Sequence, residues 1–316
     1  MEHRSYMGRG PRASIVPLLI LLLFLPNPPI GAELPQPAEE RVVEILRTLP
    51  HDSTSFTQGL EVLNNSIIEG SGLYGQSRLT EINSQNGELI RQTPINETYF
   101  GEGITIMGKS IIMLTWKAGV AIEFDISNFT QIGNFSFEGE GWGICFNGQH
   151  LITSNGTSEL SFRDPISFET DYTVEVTWDN HPVLNLNELE CVGDNIFANV
   201  WMQDIILSIS STSGMVEFFA RPVSITSQQG NDANEVLNGI AYDPSSGGFW
   251  ITGKNWTELY LVDFTQPEVT QHTNASLEGY PIKIISVVSI SVVFIILYYF
   301  GKKKDPETPN FKDSHH

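Results

Sequence analysis

Between residues 56 and 264, apolar and polar positions alternate with a period of two in short runs. That is the pattern of half-buried strands rather than of helices. One unit recurs: a small or apolar residue, an alternating run, then a turn. Its copies are Gly59-Leu60-Glu61-Val62, Gly103-Ile104-Thr105-Ile106, Gly143-Ile144-Cys145-Phe146, Leu189-Glu190-Cys191-Val192 and Gly239-Ile240-Ala241-Tyr242, at intervals of 44, 40, 46 and 50 residues. The fourth copy has Leu where the others have Gly. Each is followed by a second strand, at Ile67-Glu69, Ile112-Leu114, Leu151-Thr153, Ile196-Ala198 and Trp250-Thr252. A third strand follows at Leu79-Ile82, Ala121-Phe124, Leu160-Phe162, Ile206-Ile209 and Leu259-Val262. Turn sequences such as Gln85-Asn86-Gly87 and Thr212-Ser213-Gly214 come next, and a fourth strand stands around Leu89, Ile132, Tyr172 and Val216.

A repeat of about 40–50 residues holding four strands is a propeller blade. The expected fold is therefore all-β, a five-bladed β-propeller. The fifth copy lacks a fourth strand, and Val42-Val43-Glu44-Ile45-Leu46 is a strand with no blade. It would complete the last blade and close the ring, removing open sheet edges. A two-sheet sandwich gives no reason for five similar units. No amphipathic helix is expected between the two ends of the chain.

The ends follow a different pattern. Arg4, Arg9 and Arg12 precede an apolar run from Ile15 to Leu25, then prolines and the small residues Gly31 and Ala32. This reads as a secretory signal over residues 1–32. The 19 residues Ile282–Phe300 are apolar apart from Lys283 and three serines, and Tyr298, Tyr299 and Lys302 to Lys304 close the segment. An aromatic belt followed by lysines is a stop-transfer helix with its C-terminus in the cytoplasm. The expected organisation is an extracellular propeller domain with a juxtamembrane linker (33–281), a transmembrane helix (282–300) and a cytoplasmic tail (301–316), at the cell membrane. Asn64, Asn96, Asn128, Asn134, Asn155, Asn255 and Asn274 each begin an N-x-S/T triplet, which favours an exported, glycosylated surface.

Composition narrows the chemistry. The 316 residues carry 17 Lys and Arg against 37 Asp and Glu, a net charge of -20. No basic footprint exists for nucleic acid. With 41% hydrophobic residues the chain is not of disordered composition. Two cysteines cannot make a Cys-based zinc module, and there is no H-E-x-x-H, CxxC pair, His cluster or G-x-S-x-G elbow. His51, His150, His181 and His272 read as surface or loop residues. No cofactor is expected to be required; the carboxylate excess would accommodate a structural Ca2+, although no D-x-D-x-D loop is present. Closed blades leave no edge, so a monomer is expected. Cys145 and Cys191 fall at equivalent positions of successive first strands; an exported protein could join them in a disulfide, but neighbouring inner strands of a propeller would hold them far apart, and the sequence leaves the pairing open.

In a blade, the start of the first strand and the end of the second lie on one face. That face should gather Phe56, Gln58, Phe100, Glu102, Glu140, Trp142, Asn187, Glu188 and Asn238 with Glu69, Trp116, Asn155, Trp201 and Lys254. A single Trp in such a fold most often packs between blades, and a single Glu or Lys at a strand end is most often solvated. Here the unusual residues repeat at equivalent positions on one face. The result is a polar cluster floored by aromatics, suited to a small ligand and to carboxylate acid/base chemistry.

The motifs F-T-Q-G-L (56–60), S-G-L-Y-G-Q-S (71–77), F-G-E-G-I-T (100–105), L-T-W (114–116), G-E-G-W-G (139–143), L-N-E-L-E (186–190), A-N-V-W (198–201), N-G-I-A-Y-D (238–243) and T-G-K (252–254) resemble plant-type glutaminyl cyclase, or glutamine cyclotransferase. The resemblance spans Val42 to Phe264. It implies a five-bladed propeller that converts the N-terminal Gln of a peptide or protein to pyroglutamate and releases ammonia without zinc. It also implies that Glu102 is the central acid/base, that Gln58, Asn187 and Lys254 hold the substrate and its developing charge, and that Phe56, Phe100, Trp116, Trp142 and Trp201 form the pocket. Asn155 departs from the family's S-D-G motif. The alternative is a membrane-tethered propeller that binds without catalysis; such a site should have lost one of Glu102, Asn187, Trp201 or Lys254.

Overall fold

The computed structural model describes residues 37–229 and 234–267. After β1 (Glu39–Pro50) come four-stranded antiparallel meanders. The first is β2 (Thr57–Leu63), β3 (Ser66–Ser71), β4 (Arg78–Asn83) and β5 (Leu89–Pro94). The second is β6 (Gly101–Met107), β7 (Ser110–Thr115), β8 (Val120–Asp125) and β9 (Gln131–Ser136). The third is β10 (Ile144–Phe146), β11 (Leu151–Thr153), β12 (Glu159–Arg163) and β13 (Thr170–Glu175). A small hairpin of β14 (Thr177–Trp178) and β15 (His181–Pro182) leads to β16 (Leu186–Val192), β17 (Asn195–Val200), β18 (Ile206–Ser210) and β19 (Val216–Ala220). Helix α1 (Val223–Gln229) precedes β20 (Leu237–Asp243), β21 (Gly248–Gly253) and β22 (Glu258–Thr265).

Strand β1 supplies what the last meander lacks. It runs antiparallel to β22 from Val42 opposite Thr265 to Pro50 opposite Glu258. Its first residues, Glu39 to Arg41, lie parallel to Phe218–Ala220 of β19. The last two meanders thereby join in one eight-stranded sheet. The first strands β2, β6, β10, β16 and β20 neighbour one another in order, and β20 returns to β2. The fold is all-β and propeller-like.

Burial explains the strand sequences. The second strands β3 and β21 are buried along their whole length, whereas β5 and β9 alternate exposed and half-buried residues. Apolar side chains collect between neighbouring sheets rather than in one central core. One cluster joins Ile68 and Leu79 of the first meander to Ile104 and Met113 of the second, and another joins Cys145 and Phe162 of the third to Leu189 and Leu207 of the fourth. Fully burying each such side chain contributes ~1.5–3 kcal/mol. Glycines allow the first strands to converge: a Cβ on Gly143 would lie 2.0 Å from the Asn187 carbonyl oxygen.

Four expectations are corrected. First, the fourth repeat is in register one residue earlier than its sequence suggests. Leu189 pairs with Ala198 as Ile104 pairs with Met113, so Glu188 occupies the glycine position. Second, Cys145 and Cys191 form a disulfide, with Cα atoms 5.4 Å apart. The register shift accounts for it: the two cysteines are offset by one residue, and successive residues of a strand point to opposite faces. Their side chains therefore meet in the gap between sheets. Third, His51, expected at the surface or in a loop, does lie in the loop after β1 but is not at the surface: its side chain is 0% exposed and bonded to Glu69. Fourth, α1 and the β14–β15 hairpin, both absent from the strand pattern, are present. His150 and His181 lie near the surface, whereas His272, the 1–32 signal, the 282–300 span and the 301–316 tail lie outside the described residues. Among the described residues no helix is long and apolar enough to cross a membrane.

Candidate active site

Four first strands break register at one place. The slip falls between Thr57 and Gly59 in β2, Gly101 and Ile104 in β6, Leu186 and Leu189 in β16, and Leu237 and Ile240 in β20. Inside these slips stand Gln58, Glu102, Asn187 and Asn238. A bulge removes a residue from the ladder and re-aims its side chain. Gln58, Glu102 and Asn187 line one cavity of about 200 Å³ with Phe56, Phe100, Trp116, Trp142, Trp201, Asn234 and Lys254. All nine residues expected at the site are therefore brought together.

The walls are aromatic. Phe100 meets Phe56, Tyr74 and Trp116 edge to face, with centroids 6.1, 5.5 and 5.5 Å apart, and Trp142 meets Trp201 at 5.6 Å. Glu140 accepts hydrogen bonds from the indole nitrogens of Trp116 (2.8 Å) and Trp142 (3.1 Å), and Lys117 lies 3.6 Å from its other oxygen. The polar floor is a chain of amides. Asn187 Nδ2 donates to Asn238 Oδ1 at 2.8 Å, and Asn238 Nδ2 donates to Gln58 Oε1 at 3.1 Å. With its oxygen so engaged, Gln58 presents its NH2 end as a donor. Lys254 Nζ stands 4.9 Å over the Phe56 ring.

A glutamine cyclotransferase family profile matches residues 19–264. The chain belongs to the glutamine cyclotransferase family. It is 30% identical over 282 residues to a glutaminyl-peptide cyclotransferase of Arabidopsis thaliana, a match covering 84% of this chain and 87% of that protein. The crystal structure of Myxococcus xanthus glutaminyl cyclase superposes with a TM-score of 0.68 at 30% identity, over 73% of this chain and 99% of that one.

In this cyclotransferase the site's electrostatics centre on Glu102, which is 5% exposed. Burial pushes its carboxyl well above the usual range; Lys254 opposes the shift and Glu140 adds to it. Burial lowers the Lys254 pKa, and Glu102 partly restores it. Glu140 itself is held low: burial would raise it, but the two indoles and Lys117 outweigh that.

Other residues expected on this face lie elsewhere. Glu69 turns away into the bond with His51, and Thr57 and Ser55 donate to it. Glu188 accepts the backbone N–H of Leu60 (3.1 Å) and of Ile240 (2.9 Å), bridging first strands. Asn155 is exposed, outside the cavity, with its oxygen on Thr157. Asn234 is a lining residue that sequence reasoning missed. It lies in the connection between α1 and β20, which has no counterpart in the other repeats. Among the described residues no group of three or more His, Cys, Asp or Glu is placed to hold a metal ion.

Proposed function

We propose that this protein is a glutaminyl-peptide cyclotransferase, converting N-terminal Gln of peptides or proteins to pyroglutamate on a five-bladed propeller completed by β1. The observation that carries the reading is a buried carboxylate, Glu102, set beside an ammonium and oriented amides in an aromatic-walled cavity. The substrate's α-amine attacks its own γ-carboxamide carbon. A C–N bond forms, the amide C–N bond breaks, and ammonia leaves. Glu102 takes the proton shed by the amine and returns it to the departing nitrogen. A carboxyl with a raised pKa suits both directions of transfer near neutral pH. Lys254 and the Gln58 amide donate to the oxyanion, each such donor being worth about 3–4 kcal/mol in comparable sites. Asn187 holds Asn238 and, through it, Gln58. The rings of Phe56, Phe100, Trp116, Trp142 and Trp201 hold amine and amide together, the orientation term of an intramolecular reaction.

This scheme uses only groups of the chain and needs no zinc. The apolar segments at both ends, the N-x-S/T triplets and the Cys145–Cys191 bond support a protein exported and tethered by its C-terminal apolar segment, since disulfides persist outside the cytosol; the pairing of β1 with β22, which covers an edge, fits a monomer. The test is incubation of the purified protein with a Gln-initiated peptide, with chelator present throughout. Ammonia release with formation of pyroglutamyl peptide is expected; an unchanged peptide would refute the assignment.

A further inference from the structure

The cavity walls differ in exposure. Phe56, Phe100, Trp116 and Trp142 are half-buried, whereas Trp201 is 39% exposed and Asn234 is exposed. The mouth therefore opens along Trp201. Beside Trp201 along the chain lies a second hollow, a groove of about 630 Å³ whose lining includes Trp178, Val183, Leu184, Val200 and Gln203. One turn of chain separates the two spaces: Val200 and Gln203 line the groove, and Trp201 between them lines the cavity. The partition is pinned in place. Trp201 N–H donates to Asn185 O at 2.8 Å, and Asn185 N–H donates to Gly156 O at 2.8 Å. Gly156 in turn packs against the Trp142 ring, which a Cβ would meet at 2.6 Å. Around the groove Leu184 is 59% and Met202 54% exposed, apolar surface of the kind that marks a contact site.

We propose that this groove is the subsite for the second and third residues of a Gln-initiated peptide and that it selects apolar side chains there. The inference rests on the cyclotransferase reading. Cyclisation consumes only the first residue, and a cavity of about 200 Å³ has room for little more than that residue. Its carbonyl is bonded to the rest of the peptide, which must leave through the mouth, over Trp201 and toward Leu184 and Trp178. Asp179, on the groove's lining, and the chain's net charge of -20 disfavour an acidic second residue. The hairpin β14–β15 thus builds a specificity wall that the repeating meanders do not provide.

The experiment compares glutamine amide, Gln-Leu-Phe-amide and Gln-Asp-Asp-amide on the full-length protein and on Leu184→Asp. The unaltered protein should favour Gln-Leu-Phe-amide over glutamine amide roughly tenfold in kcat/KM, through KM, as partial burial of one apolar side chain provides. Leu184→Asp should lose that preference while turning over glutamine amide normally, which also shows that it folds. Equal kcat/KM for all three substrates, or an undiminished preference in the variant, would overturn the subsite. So would a change in oligomeric mass with the preference intact, which would make the groove a contact between copies. Titration of the non-reacting pyroglutamyl-Leu-Phe-amide against pyroglutamyl amide separates the two ideas. Tighter binding of the longer molecule, lost in Leu184→Asp, supports the groove even if no substrate turns over; equal binding overturns it. Absence of turnover overturns the activity alone.

Discussion

In the proposed mechanism Glu102 acts as a base when the amine arrives and as an acid when ammonia leaves, and its surroundings oppose one another in a way that suits both. Burial and Glu140 favour the neutral form, and Lys254 favours the charged one. Replacing Glu102 by Gln keeps the shape and removes the proton shuttle. Turnover of a Gln-peptide should fall about 10²–10⁴-fold with the melting temperature nearly unchanged; a normal rate would remove Glu102 from the mechanism. Glu140 provides a finer test. Removing a negative neighbour makes a carboxylate easier to ionise, so in Glu140→Gln the acidic limb of kcat/KM should move to lower pH. The groups that face Glu102 are Lys254 and Glu140, with Lys117 paired to Glu140, and Lys254→Met should move the same limb upward. A shift of the Glu140→Gln profile toward higher pH would contradict this balance. At this scale most of the site was legible. Phe, Trp, Glu and Lys residues stood at equivalent points of a repeat, and coincidence of position is information that one residue alone lacks. Asn234 has no counterpart in the other repeats and so had no such signal. Glu69 was placed on the right face, but its orientation was settled by His51, a loop residue outside the repeat pattern.

The strands were legible as elements because alternation is a direct image of a half-buried pleat. Their irregularities were not. A bulge costs one residue and leaves no mark in composition, yet bulges set Gln58, Glu102 and Asn187 on the cavity. The fourth repeat lay one position from its expected register because Glu188 stands where the other repeats have glycine. That single shift also turned two cysteines read as parallel neighbours into a bonded pair. The bond closes a loop with a sequence separation of 46, so Cys145→Ser should lower unfolding free energy by about 2–4 kcal/mol, measured by denaturant titration. A denaturation midpoint unaffected by the change would deny the bond any structural role. Between elements, His51 Nδ1 bonds the Trp256 carbonyl at 2.8 Å and Nε2 bonds Glu69 at 3.1 Å, linking the end of β1 to β3 and to the β21–β22 turn. Burial alone would lower the His51 pKa, but Glu69, the carbonyl and Asp52 outweigh it and leave it above the ordinary 6.5. Burial likewise would raise Glu69, but His51, Thr57 and Arg78 hold it below 4.5. The histidine's contribution is full below pH 6.5 and is lost as pH rises through its raised value; the glutamate's is full above pH 4.5 and is lost as pH falls through its lowered value. Stability should therefore decline on the alkaline side, and in His51→Leu that slope should flatten. His51→Ala, which leaves a buried carboxylate unpaired, should cost about 3–5 kcal/mol. An unchanged alkaline slope in His51→Leu would show that the pair is not what titrates.

For the molecule as a whole, the repeats and the spare strand Val42–Leu46 were enough to foresee an all-β, propeller-like fold, because a repeat that cannot bury both faces alone must stack on its neighbours. The α1 connection, which brings Asn234 to the cavity, and the β14–β15 hairpin, which lines the neighbouring groove, were not foreseeable from a pattern they do not share. The pairing of β1 with β22 makes a strong prediction. Removal of residues 37–50 would strip the last meander of its outer strand and expose an unpaired edge, so the shortened protein should aggregate, as light scattering would report; a stable monomer would show that the strand is dispensable. The same pairing also sets a schedule. Glu39–Pro50 is made first and must wait for Glu258–Thr265, over 200 residues later. At ordinary translation speeds the delay is roughly 10–40 s. During that time Val42, Ile45 and Leu46, still about half exposed in the finished fold, have no β22 to lie against. Gln58 near one end of the fold and Lys254 near the other cannot share a cavity until the wait is over. No nascent fragment can be active, and whatever shelters the waiting strand during synthesis shares control over how much enzyme is made.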